Sequence, residues 1–169
     1  MEHIENRNLV KIGIVVEDIE AAARHYAELF GMDMPVIRVP DLTREPKHTD
    51  SSYTWYRGKF VPGRVKLANM QLGAVTVELL EACDEESPWN EFRRQHAQGV
   101  HFITFNVPGF EQHIDFMESQ GYPLIHKGEY GSGRYSYFDT IAKLGVTLGL
   151  QELGKPLDTP VMPKEEEHA

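Results

Sequence analysis

Two stretches of this chain repeat each other, and that repeat limits its possible folds more than any other feature. Residues 10–36 read VKIGIVVEDIEAAARHYAELFGMDMPV, and residues 101–125 read HFITFNVPGFEQHIDFMESQGYPLI. Setting Val16 against Val107 places Lys11 opposite Phe102, Ile19 opposite Phe110 and Glu20 opposite Glu111, and one deletion in the helix brings Gly31 opposite Gly121. A second match follows in the same order: VTVEL at 75–79 against VTLGL at 146–150, with Glu78 opposite Gly149. The offset is 91 residues at the start of the unit and 71 at its end, so the first copy carries 20 more residues. Its Pro-flanked middle, 40–62, is where they are expected.

Each copy has the same order of elements. In the first, a β-rich run over 10–16 meets Asp18, whose carboxylate is suited to cap a helix. Ile19, Ala22, Ala23, Tyr26, Leu29 and Phe30 then recur at helical spacing, and Gly31 supplies a C-terminal stop. β-prone segments follow at 34–39, 64–71 and 75–80. In the second copy, a run over 101–107 leads to Phe110, Ile114 and Met117 on one helix face, then to Gly121 and β-prone segments at 124–127, 134–138 and 146–151. The sequence therefore predicts a β-α-β-β-β unit occurring twice, an α+β protein. It divides into module one (8–86), a helical connector opened by Ser87-Pro88 (87–98) and module two (99–153). Residues 154–169, with three prolines and a Lys-Glu-Glu-Glu run, are expected to be a mobile acidic tail.

Composition narrows the function classes. Lys and Arg total 17 against 26 Asp and Glu, a net charge of −9. Affinity for a phosphate backbone comes from basic side chains, so no nucleic-acid partner is expected. No apolar run approaches the roughly 18–20 residues that cross a bilayer. A basic region followed by an apolar stretch is lacking at the start, and the lone Cys83 cannot form an internal disulfide. The expectation is a soluble cytoplasmic protein without a membrane partner. Cys83 lies in the acidic stretch 81–86, which is expected to be solvated and to raise its thiol pKa. The serine and histidine spacings, taken with Cys83, compose neither a hydrolase triad nor a zinc motif.

Paired β-α-β-β-β units with this wording resemble the vicinal oxygen chelate superfamily, which includes glyoxalase I, methylmalonyl-CoA epimerase, extradiol dioxygenases and bleomycin-resistance proteins. The resemblance covers roughly residues 8–153 and looks nearest to epimerase-like and lactoylglutathione-lyase-like members. It rests on IGIVVEDIEAAARHYAELFGM, VTVELLEACDEESPWNEFRRQHAQGVHFITFNV and LGVTLGLQE. It implies a curved mixed sheet forming a half-barrel. It also implies four inward ligands for a divalent metal, on the first and last strand of each unit. Carried onto this chain, those positions hold Lys11, Glu78, Phe102 and Gly149. A protonated lysine donates and cannot ligate, and Phe and Gly offer no lone pair. No metal cofactor is therefore expected at the usual locus, with Glu78 and His101 the fallback ligands for a divalent ion held elsewhere.

Strand alternation sharpens the reading, because residues i and i+2 share a face. If Lys11 points inward, so do Gly13 and Val15, Thr76, Glu78 and Leu80, Phe102 and Thr104, and Thr147, Gly149 and Gln151. His101 then points away, beneath a helix. An inward Glu78 without a cation is costly, and Lys11 is the cation at hand. The pair is either structural or catalytic, with Glu78 as base and Lys11 stabilising a carbonyl oxygen. Phe102, Gly149, Tyr56, Arg134 and Tyr137 are the substrate-binding candidates. Tyr135 and Tyr137 share one strand face, opposite Arg134 and Ser136.

Three functions remain open. One is a metal-free isomerase or lyase acting by proton transfer on a small oxo acid, keto-sugar or thioester. A second is a non-catalytic small-molecule binder with an apolar, aromatic pocket. The third is a metal enzyme with ligands relocated among Glu78, His101, His126 and Tyr137. A homodimer is the default assembly that the resemblance implies.

Overall fold

The computed structural model describes residues 1–154, so the expected mobile tail lies, but for Gly154, outside the described residues. Module one contributes β1 (Leu9–Val15), α1 (Ile19–Phe30), β2 (Ile37–Arg38), β3 (Tyr53–Tyr56), β4 (Lys59–Phe60), β5 (Val65–Leu72) and β6 (Val75–Ala82). The connector is α2 (Pro88–His96). Module two contributes β7 (Gly99–Asn106), α3 (Phe110–Ser119), β8 (Leu124–Tyr130), β9 (Gly133–Phe138), α4 (Ile141–Leu144) and β10 (Thr147–Leu153). The ten strands make one mixed sheet in the order β2-β5-β6-β1-β7-β10-β9-β8-β3-β4, curled into a half-barrel.

The repeat reappears as register. Lys11 stands beside Thr76 where β1 pairs in parallel with β6, and Phe102 stands beside Thr147 where β7 pairs with β10. The same backbone hydrogen bond closes both units: Val16 N–H donates to the Leu80 carbonyl and Val107 N–H to the Gln151 carbonyl, each at 2.9 Å. A glutamate then reaches the start of each helix. Glu81 accepts from the Ile19 N–H at 2.9 Å, and Glu152 from the Gly109 N–H at 3.0 Å, favourable anions at helix N-termini. Asp18 caps α1 by accepting from Ala21 N–H, and Gly31 ends it at φ 60°.

Helices α1 and α3 cover the convex face. Ile19 and Ala23 of α1 pack on Ala68, Met70, Val77 and Leu79. Phe110, Ile114 and Met117 of α3 pack on Phe138, Leu148 and Leu150. The concave face holds a third cluster, Val15, Leu80, Phe102, Ile125 and Tyr137, closed at one end by Trp89 and Phe92 of α2. A pleated strand shows alternate residues to opposite faces, so one strand of each unit serves both clusters.

Two elements differ from the sequence reading. The extra residues of module one form the β3–β4 hairpin, and β3 adds antiparallel to β8 of module two, with Tyr53 opposite Glu129 and Tyr56 opposite His126. The segment 34–39 forms only the two-residue edge strand β2. The stretch 81–86 is not simply solvated either: Glu81 pairs with Lys66 at 2.7 Å and Glu85 with Arg64 at 2.9 Å. Burial and the Glu85 charge hold the half-buried Cys83 thiol above its ordinary pKa, as its acidic surroundings suggested. Among the described residues no helix is long and apolar enough to cross a membrane.

Candidate functional site

The concave face encloses a cavity of about 400 Å3. Lys11 on β1 and Glu78 on β6 meet on its wall, Nζ to Oε2 at 3.1 Å, with the Glu78 side chain 11% and the Lys11 side chain 24% exposed. The parallel register sets Gly13, not Lys11, directly beside Glu78, and the long lysine side chain reaches diagonally to the carboxylate. The pair faces the cavity as strand alternation predicts, with Leu80 on β6 and Phe102 and Thr104 on β7.

Aromatic rings pave the floor, and glycines make room for them. Phe102 stands opposite Gly13, Tyr137 opposite Gly149 and Tyr135 opposite Gly128 on neighbouring strands. A Cβ on Gly13 would overlap the Phe102 ring, and one on Gly128 the Tyr135 ring. At Gly149 a Cβ would meet Thr104 Oγ1 at 2.7 Å and Tyr137 Cδ1 at 3.3 Å. Phe102 and Tyr137 then stack with centroids 4.7 Å apart. Gly149, expected to bind substrate, does not itself line the cavity: Thr104 and Tyr137 cover it, and it shapes the floor from beneath.

His126 is fully buried behind this floor. Its ring packs near Trp89, Tyr135 and Tyr137, and its Nε2 lies 3.1 Å from the Tyr135 hydroxyl. Burial, then the neighbouring His101, push its pKa down to about 3. Burial and the Glu78 charge raise the Tyr135 hydroxyl, which stays protonated at neutral pH. The cavity wall therefore carries a carboxylate and an ammonium on β6 and β1, and a neutral phenol backed by a neutral imidazole on β9 and β8.

Three further expectations need correction. Arg134 does not face the cavity. It is fully buried on the convex side, held by Glu152 at 2.7 Å and Glu111 at 3.4 Å, with its guanidinium 5.1 Å from the Phe110 ring centroid. Its position on the face opposite Tyr135 and Tyr137 already forbade a pocket role. Tyr56 does not line the cavity either. Its hydroxyl donates to Glu91 at 2.6 Å and so ties β3 to α2, while burial and that carboxylate push its pKa up to about 12. His101 lies beneath a helix as expected, but that helix is α2, which closes the concave side, so the ring does not face away from it. The β1–β7 register slips where Gly13 faces Phe102 and Ile14 faces Val100, so two residues of β7 oppose one of β1. This bulge sets His101 against Phe92, Phe102 and Tyr137, buried, with Nδ1 lacking a hydrogen-bond partner and its pKa pushed down to about 3 by burial.

Sequence reasoning missed Arg38, Arg64, Asn69, Trp89 and Tyr130 on the cavity wall. Arg38 had a signal, because the apolar Ile37 beside it must face the core under α1. Trp89 gave none, since a connector helix does not reveal which face it closes.

The donor set does not fit the four-ligand metal locus that the resemblance implies. Lys11 is engaged by Glu78, aromatic rings fill the space around Phe102 and Gly149, and Glu78 alone offers a ligand atom. Among the described residues no three His, Cys, Asp or Glu side chains come together to hold a metal, so Glu78, His101 and His126 do not form a relocated site.

Two fused β-α-β-β-β units, curled around one concave pocket, define a class of small-molecule enzymes and binding proteins. The model of the Glyoxalase/Bleomycin resistance protein/Dioxygenase superfamily matches residues 11–138, and the chain belongs to that superfamily. No curated protein matches it. Among solved structures, a hypothetical protein from Bacillus halodurans C-125 is 22% identical with a TM-score of 0.62, covering 89% of this chain and 97% of its own. Methylmalonyl-CoA epimerase from Mycobacterium tuberculosis is 18% identical with a TM-score of 0.57, covering 92% and 93%. The Streptomyces coelicolor methylmalonyl-CoA epimerase in complex with 2-nitronate-propionyl-CoA is 17% identical with a TM-score of 0.59, covering 90% and 100%. At these identities the likeness is one of fold.

Proposed function

We propose that this protein is an isomerase or lyase that moves a proton next to the carbonyl of a small molecule, without a divalent metal at this locus. The observation that carries the reading is the Lys11–Glu78 pair on the wall of an aromatic-floored cavity. The Glu78 carboxylate takes a proton from the carbon beside the carbonyl, and the electrons of that C–H bond move onto the carbonyl oxygen. Lys11 donates a hydrogen bond to that oxygen. The ammonium balances Glu78 before transfer and the enolate oxygen after it, so the net charge of the trio does not change. A low-dielectric floor strengthens both interactions. Return of the proton from Glu78 to a neighbouring atom of the enolate completes an isomerisation, whereas its return to the same carbon only regenerates the substrate and is seen as exchange with solvent. The epimerase structures of the same fold are consistent with this class of chemistry.

The experiment is solvent exchange. In D2O, wild-type protein should speed loss of the C3 proton signal of 2-oxobutyrate, and Glu78→Gln should slow that exchange by about 10²- to 10⁴-fold. Lys11→Met should slow it as well, at some cost in stability because Glu78 loses its cation, with circular dichroism checking that the variant is folded at the assay temperature. If neither 2-oxobutyrate nor dihydroxyacetone exchanges faster than in buffer, proton transfer fails. The second reading, a non-catalytic binder, then stands. The stacked Phe102 and Tyr137 rings favour it, because they offer a planar apolar ligand a surface that needs no chemistry.

A further inference from the structure

We propose that the cavity takes an anionic ligand whose carboxylate or phosphate end is bound by Arg38. This deepens the proton-transfer reading, on which it rests only in placing a carbonyl at Lys11. The chain carries a net charge of −9, yet three of the four charged residues on the cavity wall are cations: Lys11, Arg38 and Arg64 against Glu78. Two of the cations are already neutralised. Lys11 is matched by Glu78 at 3.1 Å, and Arg64 by Glu85 through bonds of 2.9 and 3.2 Å. Arg38 is left over, and among the described residues no acid pairs with it.

Its placement is specific. Strand β2 has two residues. Ile37 packs into the cluster beneath α1, so Arg38 is turned to the opposite face, beside Leu67 of β5, which also lines the cavity. An arginine that only solubilised the edge strand would have no need of the concave side. A guanidinium offers a planar fork of donors that matches a carboxylate or phosphate, and Lys11 is not free to do that work. The one charge of the wall without an acidic partner among the described residues therefore lines the same cavity as the proposed reacting pair. It selects a ligand with a carbonyl at one end and an anion at the other.

Paired probes test this by calorimetric titration: 2-oxobutyrate against its methyl ester, and dihydroxyacetone phosphate against dihydroxyacetone. Wild-type protein should bind the anionic member of at least one pair about tenfold or more tightly than its neutral partner. The pair showing the preference distinguishes a carboxylate ligand from a phosphate ligand. Arg38→Gln should bring the ratio to about one, Arg38→Lys should keep part of it, and added KCl should weaken only the anionic member. Arg38 is exposed, so neither variant removes buried packing. Equal binding within both pairs overturns the proposal, as does a preference that survives Arg38→Gln or no binding of either anion at millimolar concentration. A preference intact in a protein that exchanges no protons overturns the proton-transfer reading and leaves this one standing.

Discussion

At the scale of single residues, the site is built by what glycines omit and by histidines kept neutral. Gly13 lets the Phe102 ring lie down across β1, and Phe102 in turn supports Tyr137. Gly13→Ala is expected to cost about 1–3 kcal/mol by overpacking. Adding Phe102→Leu should recover at least about 0.5 kcal/mol of that, because the two positions share the same space. Urea denaturation of the double-mutant cycle measures the coupling, and additive losses would contradict the packing argument. His101 and His126 set the response to acid. Each has a folded pKa near 3, below the ordinary value of about 6.5, so the unfolded chain binds more protons between those limits. Stability should therefore fall as pH drops below about 6.5, by up to about 1.4 kcal/mol per pH unit for each histidine. His101→Phe, which keeps an aromatic ring among Phe92, Phe102 and Tyr137, should flatten the slope between pH 6.5 and 5 by about one proton. Denaturant midpoints across that range check it. A mid-strand slip left no mark in the alternation of β7. The concave placement of His101 could not be read from sequence for that reason, whereas the Lys11–Glu78 pair could.

At the scale of elements, the repeat was legible and the partner of the inserted hairpin was not. Residues 75–79 and 146–150 carry a period-two apolar pattern that fixes which side faces the helices, so Glu78 and Gly149 fell on the concave side by necessity. The Tyr53–Tyr56 strand carries aromatic and β-branched residues that suit any sheet edge. Which edge it joins depends on the edges the fold leaves open, a property of the assembled sheet. Arg134 is similar: its burial needs Glu111 on α3 and Glu152 on β10, three elements brought together only by the fold. The hairpin's attachment is testable at its end. Tyr56 donates to Glu91 at 2.6 Å and links β3 to α2. Tyr56→Phe should cost about 1 kcal/mol, because the Glu91 carboxylate loses the hydroxyl bond and keeps Arg57 as its donor. Hydrogen exchange should show the loss first at the β3–β8 amides, where Tyr56 pairs with His126. Protection unchanged there would mean that strand pairing alone holds the hairpin.

At the scale of the whole molecule, the two units are bound together more tightly than a tandem repeat requires. They join in the middle of the sheet, where β1 pairs antiparallel with β7. They join again at the far side, where β3 from module one covers the β8 edge of module two. The chain thus crosses between units at both a central seam and an outer edge, and α2 closes the concave cluster with side chains from both, Val15 and Leu80 together with Phe102 and Tyr137. Neither unit keeps its concave core if the other unfolds, so unfolding should be a single cooperative step. The two tryptophans report from different places: Trp55 lies on the hairpin and Trp89 on the connector helix. Thermal melts of Trp55→Phe and Trp89→Phe, each followed by the remaining tryptophan's fluorescence and by far-ultraviolet circular dichroism, should give coincident transitions within each variant. A fluorescence transition for Trp55 that precedes the loss of secondary structure would show the hairpin detaching on its own and the shared core surviving without it. The pocket would then owe its shape to the central seam alone.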